Sequence, residues 1–407
     1  MNKVTLDDLS DDDLRGRRIL VRVDYNAPLD DRLEVADDSR IRATLPTLRR
    51  LIEMGARIVL VAHFGRPKGK RVPEMSLRPV ANRLSDLLGE PVRFVESTTG
   101  RDAIAATREL ADGEVILLEN TRYDAREEAN DPEMSAELAE LCDLYVNDAF
   151  GAAHRAHAST AGVADRVRER GGLAVAGLLM KRELEYLGGA LESPARPFVA
   201  ILGGAKISGK IDVIEALLPK TDRLLIGGAM ANTFLRALGY ETGSSLVEDD
   251  RVDMAASLLD RSGDQLTLPD DVIIARKMEA AAETRVVPSH QIPAGRMALD
   301  VGPATVTRYA EAVRSARTVL WNGPMGVAEI PEFRHGTEGV ARALVEATRL
   351  GAVTVVGGGD SAAALLELGL QDQVSHVSTG GGASLEFLEG KALPGVDALS
   401  AANESVS

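Results

Sequence analysis

Nine short runs in this chain are apolar almost from end to end, and they alternate with segments whose apolar residues recur at helical spacing. The runs are Arg18–Val23, Arg57–Ala62, Glu114–Leu118, Leu144–Asn147, Phe198–Leu202, Arg223–Ile226, Thr318–Trp321, Val353–Val356 and Val374–Val377. A strand with one wet face alternates apolar with polar residues. Runs without that alternation are covered on both faces, as in a parallel sheet. Helical segments such as Arg40–Met54, Leu77–Leu88, Lys210–Leu218, Thr305–Ala312 and Phe333–Thr348 supply the cover. Strand and helix in repeated succession predict a doubly wound, Rossmann-like α/β fold.

At 407 residues the chain exceeds what one core usually organises, so two domains are expected. Gly177–Ser193 reads as one helical segment, halted by Pro194 and Pro197. This places a first domain over residues 1–176, a hinge helix over 177–193 and a second domain over 194–389. The stretch Ala398–Ser407 is small and polar, and fraying is expected there. In open parallel sheets ligands lie at the carboxyl ends of the strands, so the residues just after each run carry the functional information.

In the first half a basic residue follows run after run. RVDYNAP (Arg22–Pro28) ends the first strand with Asp24 and Asn26, and DDSRIRATLP then opens a helix with Asp38 as N-cap and Arg40 in the first turn. Pro46 is expected to stop or kink that helix. AHFGRP brings His63, Gly65 and Arg66; ENTRY brings Arg122; NDAFGAAHRAHAS brings His154, Arg155 and His157, the last as readily structural as functional. Arginine holds phosphate and carboxylate through a planar fork that stays charged. Four arginines at strand ends predict an anion-binding basin on a chain whose net charge is −15.

The second half is marked by glycine-rich turns and by a scarce residue. Only nine of the 47 basic residues are lysine, yet Lys206 and Lys210 lie together in GGAKISGK after Phe198–Leu202. Gly204, Gly209 and Lys210 imitate a P-loop, but Ile211 stands where a hydroxyl must reach Mg²⁺. Further turns are IGGAMANTF, WNGPMGVAE, VVGGGDSAAAL and STGGGASLEFL. Glycine at a strand-to-helix turn lets backbone N–H groups approach phosphate oxygens. Asp360 offers the hard oxygen that Mg²⁺ prefers.

RVDYNAP, AHFGRP, LLENTRY, NDAFGAAHRAHAS, GGAKISGK and WNGPMG resemble, in order, the signatures of the phosphoglycerate kinase family. The departures are Tyr25 for Phe, Ala62 for Ser, Phe64 for Leu, Tyr123 for Phe and Gly209 for Asp. The resemblance implies reversible phosphoryl transfer between 1,3-bisphosphoglycerate and ADP, giving 3-phosphoglycerate and ATP. It implies that Asp24, Tyr25, Asn26, Arg40, His63, Phe64, Gly65, Arg66, Arg122 and Arg155 hold phosphoglycerate. It further implies a nucleotide site of Gly203, Lys206, Lys210, Gly227, Gly228, Asn322, Pro324, Glu329, Gly358, Gly359, Asp360 and Ser361. Mg²⁺ would be held at Asp360, and catalysis would fall to Arg40, Lys206, Lys210, Gly358 and Gly381. LPGVDALS is similar to the family's closing segment, which implies that a tail over 390–407 returns to the first domain. Family analogy favours a monomer, and substrate sites on two domains imply closure about the hinge helix.

Composition narrows the remainder. An acidic body repels nucleic acid and anionic membrane, no apolar stretch is long enough to span a bilayer, and no signal peptide is evident. The lone cysteine, Cys142, reads as core and fits a reducing cytoplasm. Acid-rich, lysine-poor composition suits a salt-rich cell interior. A P-loop NTPase would leave the arginine basin unexplained. A hinged, non-catalytic anion-binding protein would have no need of Lys206, Lys210 or Asp360.

Overall fold

The computed structural model describes residues 3–402. Its contacts divide the chain into two compact units, one of the described residues up to Glu185 together with those from Ala392 on, the other Tyr186–Lys391. Each is built around its own sheet.

In the first unit the strands are β1 (Arg18–Arg22), β2 (Arg57–Val61), β3 (Val92–Val95), β4 (Val115–Leu118), β5 (Leu144–Asn147) and β6 (Ala174–Ala176). They pair all-parallel in the order β3-β4-β2-β1-β5-β6. β1 lies centrally, with Ile19 opposite both Ile58 and Leu144. Ile19, Leu20 and Val21 are buried irrespective of the face they point to, which is why the run is apolar without alternation. The chain reverses its winding at β1, and a doubly wound sheet opens its ligand crevice at such a reversal. The described tail packs on this unit: Ser400 N donates to Ala174 O, Gly395 N to Ala153 O and Asn147 Nδ2 to Gly395 O.

The second unit repeats the plan with β7 (Phe198–Leu202), β8 (Arg223–Ile226), β9 (Leu266–Thr267), β13 (Thr318–Asn322), β14 (Val353–Gly357) and β15 (His376–Val377), ordered β15-β14-β13-β7-β8-β9. Its reversal falls at β7, between β13 and β8. An antiparallel sheet that the sequence pattern did not reveal, β11-β10-β12, is formed by β10 (Asp271–Ala275), β11 (Arg285–Pro288) and β12 (Met297–Val301). The helix Leu178–Glu192 spans the division between the units.

The structure qualifies three local expectations. The helix Ser39–Glu53 is not stopped at Pro46 but continues to Glu53, because Ile41, Leu45, Leu48 and Leu51 bury one face in the core and outweigh one missing N–H donor. Asp38 stands at the N-cap position, but its carboxylate accepts from Arg42 and Arg83 while Asp37 accepts from Ser39 N. Of the stretch expected to fray, Ala398–Ser400 is buried and Ser400 is hydrogen-bonded to Val4 and Ala174, while residues 403–407 lie outside the described residues. Cys142 is buried, and burial pushes its thiol up to about 12.

Candidate functional site

At the carboxyl ends of β1, β2, β4 and β5 the first unit gathers positive charge. Arg40, in the first turn of the helix Ser39–Glu53, forms an ion pair with Asp24 Oδ2, and the other Asp24 oxygen is buried without a hydrogen-bond partner among the described residues. Asn26 Oδ1 accepts from Gly65 N at 2.9 Å, and Gly65 adopts φ +59° in the turn after β2. A side chain at Gly65 would meet Met75 Sδ at 2.9 Å, so the turn depends on glycine for both conformation and space. Arg122 is buried; its Nη1 donates to Gly65 O at 2.9 Å and its Nε lies 3.2 Å from Glu128 Oε1. Asn120 ties the same region together by accepting from Phe64 N and Arg122 N and donating to Phe64 O. Arg66 and Arg155 are exposed.

Burial and neighbouring cations favour the neutral form of His63 and His157. Burial, then Arg22, Arg122, His157 and Arg40, keep His63 well below its ordinary value. His157 is lowered to about 4 by burial and by Arg22, Arg122 and Arg155. The mutual influence of these groups is itself a sign that the strand ends converge.

The side chains of two residues expected as ligands in this unit turn toward the core. Tyr25 is fully buried with its hydroxyl 2.9 Å from Thr44 Oγ1, so its side chain belongs to the core and burial pushes its pKa up. Phe64 packs its ring against the same core and presents its backbone to Asn120.

In the second unit three glycine turns after β7, β8 and β13 interlock. Gly203 N donates to Asn322 O, Gly204 N to Pro324 O and Gly228 N to Met325 O, at 2.9–3.0 Å. A Cβ at Gly203 would lie 2.1 Å from Pro324 O, and one at Gly228 would lie 2.5 Å from Gly204 N. The glycines here serve close packing of turn on turn, and the N–H groups of Gly203, Gly204 and Gly228 are used within that packing. Pro324 is buried, and Glu329 is exposed farther along the same loop.

Lys206 projects exposed from the turn after β7, and Lys210 stands at the N-cap position of the helix Ile211–Leu217. Lys210 Nζ donates to Asn322 Oδ1, and burial lowers its pKa to about 8 against the opposing pull of Asp360 and Glu389. Asn322 therefore lies beside Lys210, Gly357 and Gly358. Gly358 (φ +87°) begins the helix Gly359–Glu367 with Asp360 exposed in its first turn, and Gly381 (φ +53°) begins Gly382–Leu388. Positions 359, 381 and 382 face open space. The side chain of Ser361 is fully buried, and its hydroxyl accepts from Gly323 N at 2.8 Å.

A family model described as Phosphoglycerate kinase matches residues 7–391. The chain belongs to the phosphoglycerate kinase family. Phosphoglycerate kinases of Chloroflexus aurantiacus and Rubrobacter xylanophilus are 57% and 56% identical to it, each over 98% of this chain and 99% and 98% of their own length. The solved phosphoglycerate kinase of Coxiella burnetii superposes with a TM-score of 0.87 at 41% identity, covering 97% of this chain and 98% of that one. The activity is that of the family, a phosphotransferase reaction between 1,3-bisphosphoglycerate and ADP, and neither the P-loop NTPase nor the passive anion binder is favoured. No helix among the described residues is long and apolar enough to cross a membrane.

The basin also contains groups that the sequence pattern did not single out as functional. Arg22 is fully buried with Nη2 3.0 Å from His63 Nδ1, and Glu127 and Ser159 are buried beside it. Arg22 was visible as the charged residue at the carboxyl end of an apolar strand; Glu127 carried no signal, because acidic residues are abundant in this chain.

Proposed function

We propose that phosphoglycerate binds at the β1–β2–β4–β5 ends of the first unit and the magnesium–nucleotide complex at the β7–β13–β14 ends of the second. Arg40, Arg66, Arg122 and Arg155 neutralise the phosphate and carboxylate, His63 adds a donor, and Asn26 and Gly65 shape the turn beneath them. The partnerless oxygen of Asp24 accepts the substrate hydroxyl. Lys206 neutralises the phosphoryl group in transit and Lys210 the nucleotide phosphates. The turns opened by Gly358 and Gly381 offer backbone N–H groups to the same oxygens. Gly227, Gly228, Pro324 and Glu329 border the nucleoside.

Acyl phosphate as donor explains why no general acid is needed: the leaving group is already a stabilised carboxylate. What remains for the protein is in-line positioning and neutralisation of the equatorial oxygens. Asp360, one exposed carboxylate at a helix start next to Lys210, fits a Mg²⁺ that takes most of its other ligands from phosphate and water. Mg²⁺ held there would supply neutralisation of phosphate charge. The helix Leu178–Glu192, shared by both units, is the segment about which the two ligands are brought together and water is excluded. The protein acts as a cytoplasmic monomer adapted to salt.

The observation that carries this reading is the pairing of an arginine basin at one sheet reversal with a two-lysine turn at the other. A coupled assay for ATP formation from 1,3-bisphosphoglycerate and ADP tests it, with Arg40→Ala as the diagnostic variant. The expected result is activity in the wild type and a loss of roughly 3–4 kcal/mol of transition-state stabilisation in Arg40→Ala, the size seen when a preorganised donor is removed. A variant with more than about a tenth of wild-type kcat and unchanged melting would remove Arg40 from the chemistry.

A further inference from the structure

Arg22 is an arginine with no exposed surface, and three of its donors are fixed by the fold. Nε donates to Ser159 Oγ at 2.8 Å, Nη1 to Val23 O, and Nη2 meets His63 Nδ1 at 3.0 Å. Behind it, Ser159 Oγ donates to Glu127 Oε1 at 2.6 Å and Ser159 N to Glu127 Oε2 at 2.9 Å. Tyr145 Oη donates to Ser159 O at 3.0 Å, and Ala158 N to Glu127 O at 3.0 Å, so the serine cannot turn away. Glu127, also without exposed surface, thus reaches the buried cation through one hydroxyl. A buried charge needs such partners, and removing one leaves the other stranded.

The consequence falls on His63. A guanidinium has donors and no acceptor, so His63 Nδ1 must present its lone pair to Arg22. In the neutral ring the proton then resides on Nε2. We propose that Arg22, held by Ser159 and Glu127, is a positioning residue that fixes the His63 proton on Nε2, so that this histidine offers the substrate anion a donor from a set atom. This rests on His63 being a substrate ligand. The crowd of Arg22, Arg122, Arg40 and His157 about the ring favours the same uncharged form. A histidine free to exchange tautomers would present a lone pair to an anion part of the time.

The test combines nitrogen-15 NMR of the histidine rings with steady-state kinetics on the full chain. In the wild type without substrate near pH 7, the His63 signals, assigned by their loss in His63→Gln, are expected to show a neutral ring protonated on Nε2. In Ser159→Ala and in Arg22→Lys, which keeps the charge but loses the fork, His63 should become a tautomer mixture. KM for 3-phosphoglycerate should then rise by the inverse of the fraction still protonated on Nε2, about twofold for an equal mixture and more as the other tautomer gains, with KM for MgATP unchanged. A wild-type ring protonated on Nδ1, or on both nitrogens, overturns the proposal even if a variant fails to fold. So does Arg22→Lys with wild-type KM and tautomer, which would reduce Arg22 to a source of charge. His63→Ala with an unchanged KM for 3-phosphoglycerate would instead overturn the reading of His63 as a ligand, whatever the tautomer.

Discussion

Replacing Gly203 by alanine adds one methyl group where two turns are in contact. The backbone φ of Gly203 lies outside the left-handed region, so any cost arises from space alone. The new Cβ would stand 2.1 Å from Pro324 O, 2.6 Å from Gly323 O and 2.7 Å from Met325 Cε. The first two neighbours are backbone and cannot rotate away. Restoring ordinary contact requires the turns after β7 and β13 to part by more than an ångström. That distance breaks the 3.0 Å hydrogen bonds from Gly203 N to Asn322 O and from Gly204 N to Pro324 O. Two hydrogen bonds at about 1 kcal/mol each and overpacking strain of about 1–2 kcal/mol sum to roughly 3–4 kcal/mol. For a unit of about 200 residues this lowers Tm by roughly 6–16 °C. Lys206 and Lys210 hang from the displaced turn, so KM for MgADP should rise while KM for 3-phosphoglycerate stays near wild type. Gly209→Ala is the control: it lies on the same segment with no atom within 4 Å of its Cβ, and its stability should change by less than about 0.5 kcal/mol. Calorimetric scans of the two variants decide the matter. Equal melting temperatures would refute the steric account of the glycine turns.

Asp360→Asn should weaken MgATP binding by calorimetry with little change in 3-phosphoglycerate affinity; a large loss of the latter contradicts the assignment of the two ligands to different units. His157 has a folded pKa of about 4 against about 6.5 when unfolded, so across that window the unfolded chain binds more protons and stability rises with pH. His157→Gln should flatten the rise by about 3 kcal/mol between about pH 4 and 6.5, measured by urea unfolding; an unchanged slope would show that His157 titrates normally. The net charge of −15 predicts a Tm that climbs between about 0.1 and 2 M KCl, because a Debye length of ~3 Å screens surface repulsion, while KM for 3-phosphoglycerate rises only modestly. A flat or falling Tm refutes salt adaptation and leaves the catalytic assignment untouched.

What the sequence made legible follows from which strands are covered on both faces. β5, β7 and β8 match their apolar runs residue for residue, since a central parallel strand has no wet face to interrupt the pattern. β3 is an edge strand with partly exposed residues, and β6 and β9 have three and two residues; none is long enough or dry enough to stand out. The antiparallel sheet was missed for a related reason. β11 is mostly exposed, so its neighbour β10, although apolar, had no visible partner in sequence. The site divides along a different line. Charged groups that follow strands were legible because the fold class alone says where ligands bind, and Arg40, Arg122 and Lys210 are where that rule puts them. The direction in which a side chain points is set by packing, which a string of residues does not display. Tyr25 and Ser361 sit within site motifs yet turn inward to Thr44 and Gly323, while Arg22 at the end of a core strand turns toward His63. A motif therefore marks where the backbone passes a ligand, and burial then decides which of its side chains touch it.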